Sequence, residues 1–416
     1  MGYKISIVLD ERRKKENSKY PVKLRVYSLV NKSKAVKLFS LNIDLTTEEF
    51  ETIVINREHK DLRGKNKEIR LALLEYETRA NKIAKDMTVF SMVKFETKLF
   101  RKSSDKNNLK YYFDLIIDKN IKDKKIGTAE SYKYTFNSLL KFADAKKSIK
   151  AEQLTFSMIT SDWLKEYQSF MLQNNKSYTS IAIYTRTLRA VFNIAIQDND
   201  ISSDIYPFGK DKYKIPRTKK VKKALNSKEL KTLFDAVPTN DNEQQAKDFW
   251  FFSYTSNGMN FKDIALLKYS DIKDDKFSYY RAKTFDKSLE KTQIIIYLTD
   301  FTNAIIQKYG NKSKSGFVFD IIKMTDSSEI QYKKIKNFTR LINDHIKRIA
   351  KNNDLPTDIS TYWARHSFAT NSLRKGASME FISEALNHSD LNVTKNYFAG
   401  FEDEAKKAFA NSLLDF

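Results

Sequence analysis

The 416-residue chain contains no cysteine. That removes disulfides, thiolate zinc sites and iron–sulfur clusters, and it fits a reducing compartment such as the cytoplasm. Histidine is scarce: His59, His345, His366 and His388 are the full set. A zinc centre built from imidazole and carboxylate is therefore not expected. No stretch approaches the ~18 consecutive apolar residues of a membrane span. The opening MGYKISIVLDERRKK carries charge inside and after a short apolar run, and does not read as a signal peptide. There is no internal repeat and no low-complexity tract. Asp271, Asp274 and Asp275 read as a solvated turn rather than as a two-metal site.

What the chain has in excess is positive charge, a net +23 on a composition that is 41% hydrophobic. The apolar content is enough for real cores. A prior of roughly 150 residues per domain gives two to three domains. The charge favours a polyanionic partner, with nucleic acid foremost, although ribosomal and membrane-surface proteins share it.

The pattern changes along the chain. YKISIVLD and PVKLRVYSLV alternate as strands do, and KAVKLFSLNI follows after an Asn-Lys-Ser turn. Thr46, with Glu49 three residues on, marks a capped helix start. A long helical pattern follows over about 68–86. Residues from about 87 to 212 read as successive amphipathic helices, with apolar residues three and four apart. On them Lys133, Arg186 and Arg189 are candidates for a nucleic-acid-facing surface, a solvated face being the alternative. Gly209 and Pro216 interrupt the helical pattern, and Lys219, Lys220, Lys222 and Lys223 form a basic linker suited to tracking phosphates. Asn226 with Glu229 opens the last region. There DKFSYYRAKT and TQIIIYLTD read as a hairpin among helices.

The residues suited to chemistry lie mainly near the end. Arg365 is a planar donor fork for phosphate oxygens, His388 titrates near neutrality, and Tyr397 is a weak nucleophile made useful by nearby cations. Upstream, Lys283 ends the first hairpin strand, with Arg281 two residues before it and thus expected on the same face. Tyr397 alone would be ordinary, since the chain holds 22 tyrosines.

Taken together, TSNGMNFKDIALLKYSDI, RAKT, the Arg365–His366 pair and LNHSDLNVTKNY resemble the boxes of the tyrosine recombinase family, the phage-integrase type. The likeness is strongest to mobile-element integrases of Bacteroides-type bacteria. It implies a multidomain, mainly α fold with small β elements. Residues 1–88 would form a β-rich arm-type DNA-binding domain and 89–214 an all-helical, SAM-like core-binding domain. Residues 215–224 would be the linker and 225–416 the mixed α/β catalytic domain. It also implies site-specific cleavage and rejoining of duplex DNA through a 3′-phosphotyrosine, without cofactor, metal or ATP. The expected partners are inverted-repeat core sites, a homotetramer on DNA, and an accessory DNA-bending or directionality protein. The terminal apolar stripe of Ala405, Phe409 and Leu413 would dock on a neighbour or pack on its own protomer.

By this resemblance Tyr397 is the nucleophile, Arg365 the second clamp arginine, His388 a ligand of the scissile phosphate, and Lys283 the acid for the departing 5′ oxygen. Asp263 is the supporting acidic residue. Two positions depart from the pattern. Asn260 stands where the first arginine belongs, and Arg281 is expected to restore that cation. Tyr362 stands where histidine is usual; its hydroxyl can bond a phosphate oxygen but is a poor proton acceptor. His366 is expected to be a satisfied buried histidine. The competing readings are a DNA-binding or architectural protein that has lost catalysis, for which Asn260 and Tyr362 are the support, and a type IB topoisomerase-like enzyme.

Overall fold

The computed structural model describes residues 2–30, 33–56, 62–87, 89–101, 105–217, 223–285, 291–388, 390–395, 397 and 403–412. They divide into two compact units, Met1–Asn108 and Leu109–Phe416. No helix among the described residues is long and apolar enough to cross a membrane.

In the first unit, β1 (Gly2–Leu9), β2 (Tyr20–Val30) and β3 (Ser33–Leu45) form an antiparallel sheet in chain order. The alternation of β2 sends Val22, Leu24 and Val26 inward, each with no exposed surface. Thr46 and Glu49 make the expected capping box at the start of α1 (Thr47–Phe50). The apolar sheet face is covered by Leu73, Ala80 and Ala84 of α2 (Gly64–Lys85) and by Phe95 and Leu99 of α3 (Met92–Leu99). The unit's core thus runs past residue 88, the end read from the sequence, because α3 buries its apolar stripe against this sheet.

In the second unit, α4 (Leu109–Lys122), α5 (Ile126–Lys147), α6 (Ser161–Gln173) and α7 (Tyr178–Gln197) enclose one aromatic-rich core, with Tyr112, Phe113, Phe156, Tyr167 and Phe192 fully buried. The chain then enters α8 (Ser227–Asp235) through the capping box of Asn226 and Glu229. Next come α9 (Asp241–Thr255), α10 (Phe261–Leu266), a three-stranded antiparallel sheet and α11 (Asp300–Tyr309). The sheet strands are β4 (Ile272–Lys273), β5 (Lys276–Tyr279) and β6 (Ile294–Tyr297). The long α12 (Ser328–Asn352) and α13 (Thr361–Arg374) follow, then α14 (Met379–Ala385), α15 (Leu391–Lys395) and α16 (Asp403–Ser412).

Helix α13 is fixed from several sides. Trp250 on α9 is fully buried, packs in one cluster with Ile346, Ile349, Trp363 and Ala364, and donates its indole N–H to the Ser360 carbonyl at 3.1 Å. Removing a side chain of that size costs roughly 3–5 kcal/mol. The Ser367 hydroxyl accepts from the Leu225 amide at 2.9 Å, and Asn371 donates to the Leu225 carbonyl at 2.8 Å. α13 is therefore a rigid platform for the residues it carries.

Candidate active site

One stripe of α13 lines the surroundings of Tyr397. Tyr362, His366 and Thr370 recur every four residues, with Arg365 beside them, so helical geometry puts all four on adjoining positions. The Tyr362 and Tyr397 hydroxyls are 2.9 Å apart. The His366 ring stacks on that of Tyr397 at 4.5 Å and meets Tyr362 edge-on at 4.7 Å. Thr370 donates to the Tyr397 carbonyl at 2.9 Å. Tyr397 is 8% exposed and is held from both its ring and its backbone.

Arg365 is 3% exposed. It donates to the Gly258 carbonyl at 3.1 Å and to the Leu386 carbonyl at 2.6 Å. Gly258 has φ +66°, and a Cβ there would lie 2.8 Å from the Arg365 Cα, so both backbone conformation and space require glycine. Arg281 donates to the same Leu386 carbonyl at 3.4 Å. One carbonyl therefore collects two guanidinium groups. The Nε atoms of both are buried and make no hydrogen bond. Neither guanidinium forms an ion pair among the described residues.

His388 completes the group. Its Nε2 lies 3.4 Å from an Arg365 nitrogen and its Nδ1 lies 2.9 Å from the Thr394 hydroxyl. Arginine can only donate, so Nε2 is the acceptor and Nδ1 carries the proton given to Thr394. Burial, then the Arg365 and Arg281 charges, pull the His388 pKa down to about 3, so the imidazole is neutral at physiological pH in the DNA-free protein. Burial also lowers His366. Burial and the bond to Tyr397 raise Tyr362. For Tyr397, burial opposes ionisation, but the Tyr362 hydroxyl and the Arg365 and Arg281 charges outweigh it, and its pKa falls below the ordinary value.

The structure thus brings Tyr397, Arg365, His388, Arg281, Tyr362 and His366 together. Asp263, buried on α10, accepts from the Ala282 amide at 2.9 Å and so pins the residue next to Arg281. Burial raises its pKa against the pull of that amide and of both arginines.

Several expectations need correction. The first hairpin strand ends at Tyr279, not at Lys283. Amides of Thr284 and Phe285 bond back to the Arg281 carbonyl at 3.1 and 3.0 Å, forming a turn. Strand alternation therefore does not relate Arg281 to Lys283: Arg281 turns inward, while Lys283 is exposed and makes none of the described contacts with the cluster. Asn260 is also exposed, and its side-chain oxygen accepts from the Lys262 amide at 3.0 Å as the cap of α10. Lys223 pairs with Asp358 at 2.7 Å. Lys133 on α5 and Arg186 and Arg189 on α7 are exposed, Lys133 lying 3.8 Å from Glu130. Lys219, Lys220 and Lys222, and the side chains of Ala405, Phe409 and Leu413, lie outside the described residues. Sequence reasoning missed Thr394, Thr370 and the carbonyls of Gly258 and Leu386. Only Gly258 left a trace, as the glycine of the first box.

The chain resembles known proteins in sequence family and in fold. A family model described as the phage integrase SAM-like domain matches residues 108–215, and one described as the phage integrase family matches residues 223–404. Tyrosine recombinase XerD of Rickettsia bellii is 23% identical over 292 residues, covering 67% of this chain and 93% of the relative. Tyrosine recombinase XerC of Listeria welshimeri is 21% identical, covering 68% and 90%. Among solved structures, a Tn1549 transposon integrase in complex with a circular intermediate DNA superposes with a TM-score of 0.50 at 15% identity, covering 73% of this chain and 99% of that one. A lambda integrase dimer bound to a core site gives 0.50 at 16%, covering 71% and 95%. These likenesses speak for the fold. With the two family models together spanning most of residues 108–404, the chain belongs to the phage integrase family of tyrosine recombinases.

Proposed function

We propose that this chain recombines duplex DNA at specific sites, with Tyr397 as its nucleophile. The observation that carries the reading is the pair of guanidinium groups, buried Arg365 and half-buried Arg281, gathered on the Leu386 carbonyl beside Tyr397 with both buried Nε donors unused. A phosphodiester oxygen supplies what these donors lack. The Tyr397 oxygen attacks phosphorus in line, the new P–O bond forms, and the bond to the 5′ oxygen breaks with its electron pair. Lys283, on its exposed turn, protonates that oxygen once DNA is bound. Arg365, Arg281 and His388 stabilise the charge gathering on the equatorial oxygens. A bound phosphate also offsets the Arg365 and Arg281 charges that, after burial, hold the His388 pKa down. The 3′-phosphotyrosine retains the bond energy, so a 5′ hydroxyl from a partner duplex reverses the attack and exchanges strands without ATP.

Within this reading Arg281 takes the place of the missing first arginine, and Asn260 serves the fold. The chain acts as a homotetramer on inverted-repeat core sites, helped by an accessory DNA-bending or directionality protein. The outer face of the N-terminal sheet, where Lys4 pairs with Tyr27 and Ser6 with Arg25, contacts a separate arm-type site. Arg186, Arg189 and Lys133 face the core site. A two-plasmid assay tests the function: joint molecules that form only when both plasmids carry the site support it. Relaxation of any supercoiled plasmid, with no joint molecules, would instead mark a topoisomerase. In the full chain, Lys4→Ala with Arg25→Ala should weaken arm-duplex binding and leave core-site cleavage intact.

A further inference from the structure

Tyr362 replaces the imidazole usual at its position with a phenol, and its hydroxyl lies 2.9 Å from that of Tyr397. Each hydroxyl can donate or accept, so the distance alone does not say which oxygen is left to react. The environments differ. Tyr362 is 48% exposed at the start of α13, whereas Tyr397 is 8% exposed. The ionisable groups facing the Tyr397 hydroxyl are Tyr362, Arg365 and His366 from α13, His388 after α14, and Arg281 from the turn after β5. Both guanidinium groups pull on the Tyr397 oxygen, and Arg365 lies 5.7 Å from its ring centre. The neutral His366 ring, stacked on Tyr397 and edge-on to Tyr362, keeps the two phenols in register.

We infer that Tyr362 is a positioning residue that donates its hydroxyl proton to the Tyr397 oxygen, and so makes Tyr397 the member of the pair that ionises and attacks. This rests on the recombinase reading above. Tyr362 does not act as a base. It keeps its own proton, as its raised pKa allows, while the proton lost by Tyr397 passes to solvent. When Tyr397 becomes a phosphotyrosine ester its oxygen ceases to be an anion, and the Tyr362 hydroxyl is released to a non-bridging phosphate oxygen.

The test is single-turnover cleavage of a saturating nicked suicide duplex from pH 6.5 to 10.5, with wild type, Tyr362→Phe and Tyr362→His in the full chain. Loss of a hydrogen bond to an anion should raise the pH of half-maximal cleavage by about one unit in the phenylalanine variant, a tenfold loss of phenolate at neutral pH. The histidine variant keeps a donor and should hold the wild-type midpoint. An unchanged midpoint in Tyr362→Phe, with or without a uniform loss of rate, would overturn the inference while leaving the recombinase reading standing. A wild-type protein that binds the duplex but forms no covalent adduct at any pH would overturn the recombinase reading itself, and this inference with it.

Discussion

Replacing Arg281 by alanine separates catalysis from folding. The one described hydrogen bond of its side chain is the 3.4 Å contact to the Leu386 carbonyl, and that carbonyl keeps Arg365 at 2.6 Å when the Arg281 side chain is gone. No acceptor is orphaned, so the stability loss should stay below about 1 kcal/mol. The charge that Arg281 brings to the phosphate has no such backup. Asn260 is exposed and its oxygen is committed to the α10 cap. Losing one donor to the transition state costs on the order of 10²–10³ in rate, or ~2.7–4 kcal/mol. Arg281→Lys keeps a point charge without the planar fork and should fall between alanine and wild type. The assay is single-turnover adduct formation on a saturating suicide duplex, with gel-shift binding and urea denaturation measured in parallel. An alanine variant that cleaves within about threefold of wild type while binding equally well would refute the assignment.

Gly258→Ala places a Cβ 2.8 Å from the Arg365 Cα in a φ +66° turn; urea denaturation should show a loss of roughly 1–3 kcal/mol, and cleavage should fall with it. Asn260→Ala removes a helix cap and should cost about 1 kcal/mol, while single-turnover cleavage stays within tenfold of wild type. His388 sits at about 3 in the folded protein against an ordinary 6.5, so between those values the unfolded chain binds more protons. Stability of the DNA-free protein is therefore full above that window and declines as pH falls through it. Denaturant midpoints should show a shallower decline in His388→Gln.

What the sequence revealed was mostly what is local. The capping boxes at Thr46–Glu49 and Asn226–Glu229 are contained in four residues each, and β2 announces its buried face by alternation. The order of boxes around Arg365, His388 and Tyr397 was legible because chemistry limits the residue types that can serve. What pairs with them was not. Arg281 meets the Leu386 carbonyl 105 residues away, and a backbone oxygen carries no residue identity to read. The bond between Tyr362 and Tyr397 spans 35 residues, and nothing local marks it. The residues YYRAKT suit a strand by type, yet β5 ends at Tyr279. The Asp263 carboxylate, 19 residues earlier, instead holds the Ala282 amide where the chain turns.

Tyr397 should become covalently attached to DNA. This is tested most directly by trapping the adduct on a suicide duplex, digesting with trypsin and nuclease, and locating the nucleotide-bearing peptide by mass spectrometry. The two candidate phenols fall on different peptides, residues 352–365 and 396–406, each with a single tyrosine. The nucleotide should be found on the 396–406 peptide and be lost in Tyr397→Phe. A nucleotide on the 352–365 peptide, attached to Tyr362, would contradict the assignment of Tyr397.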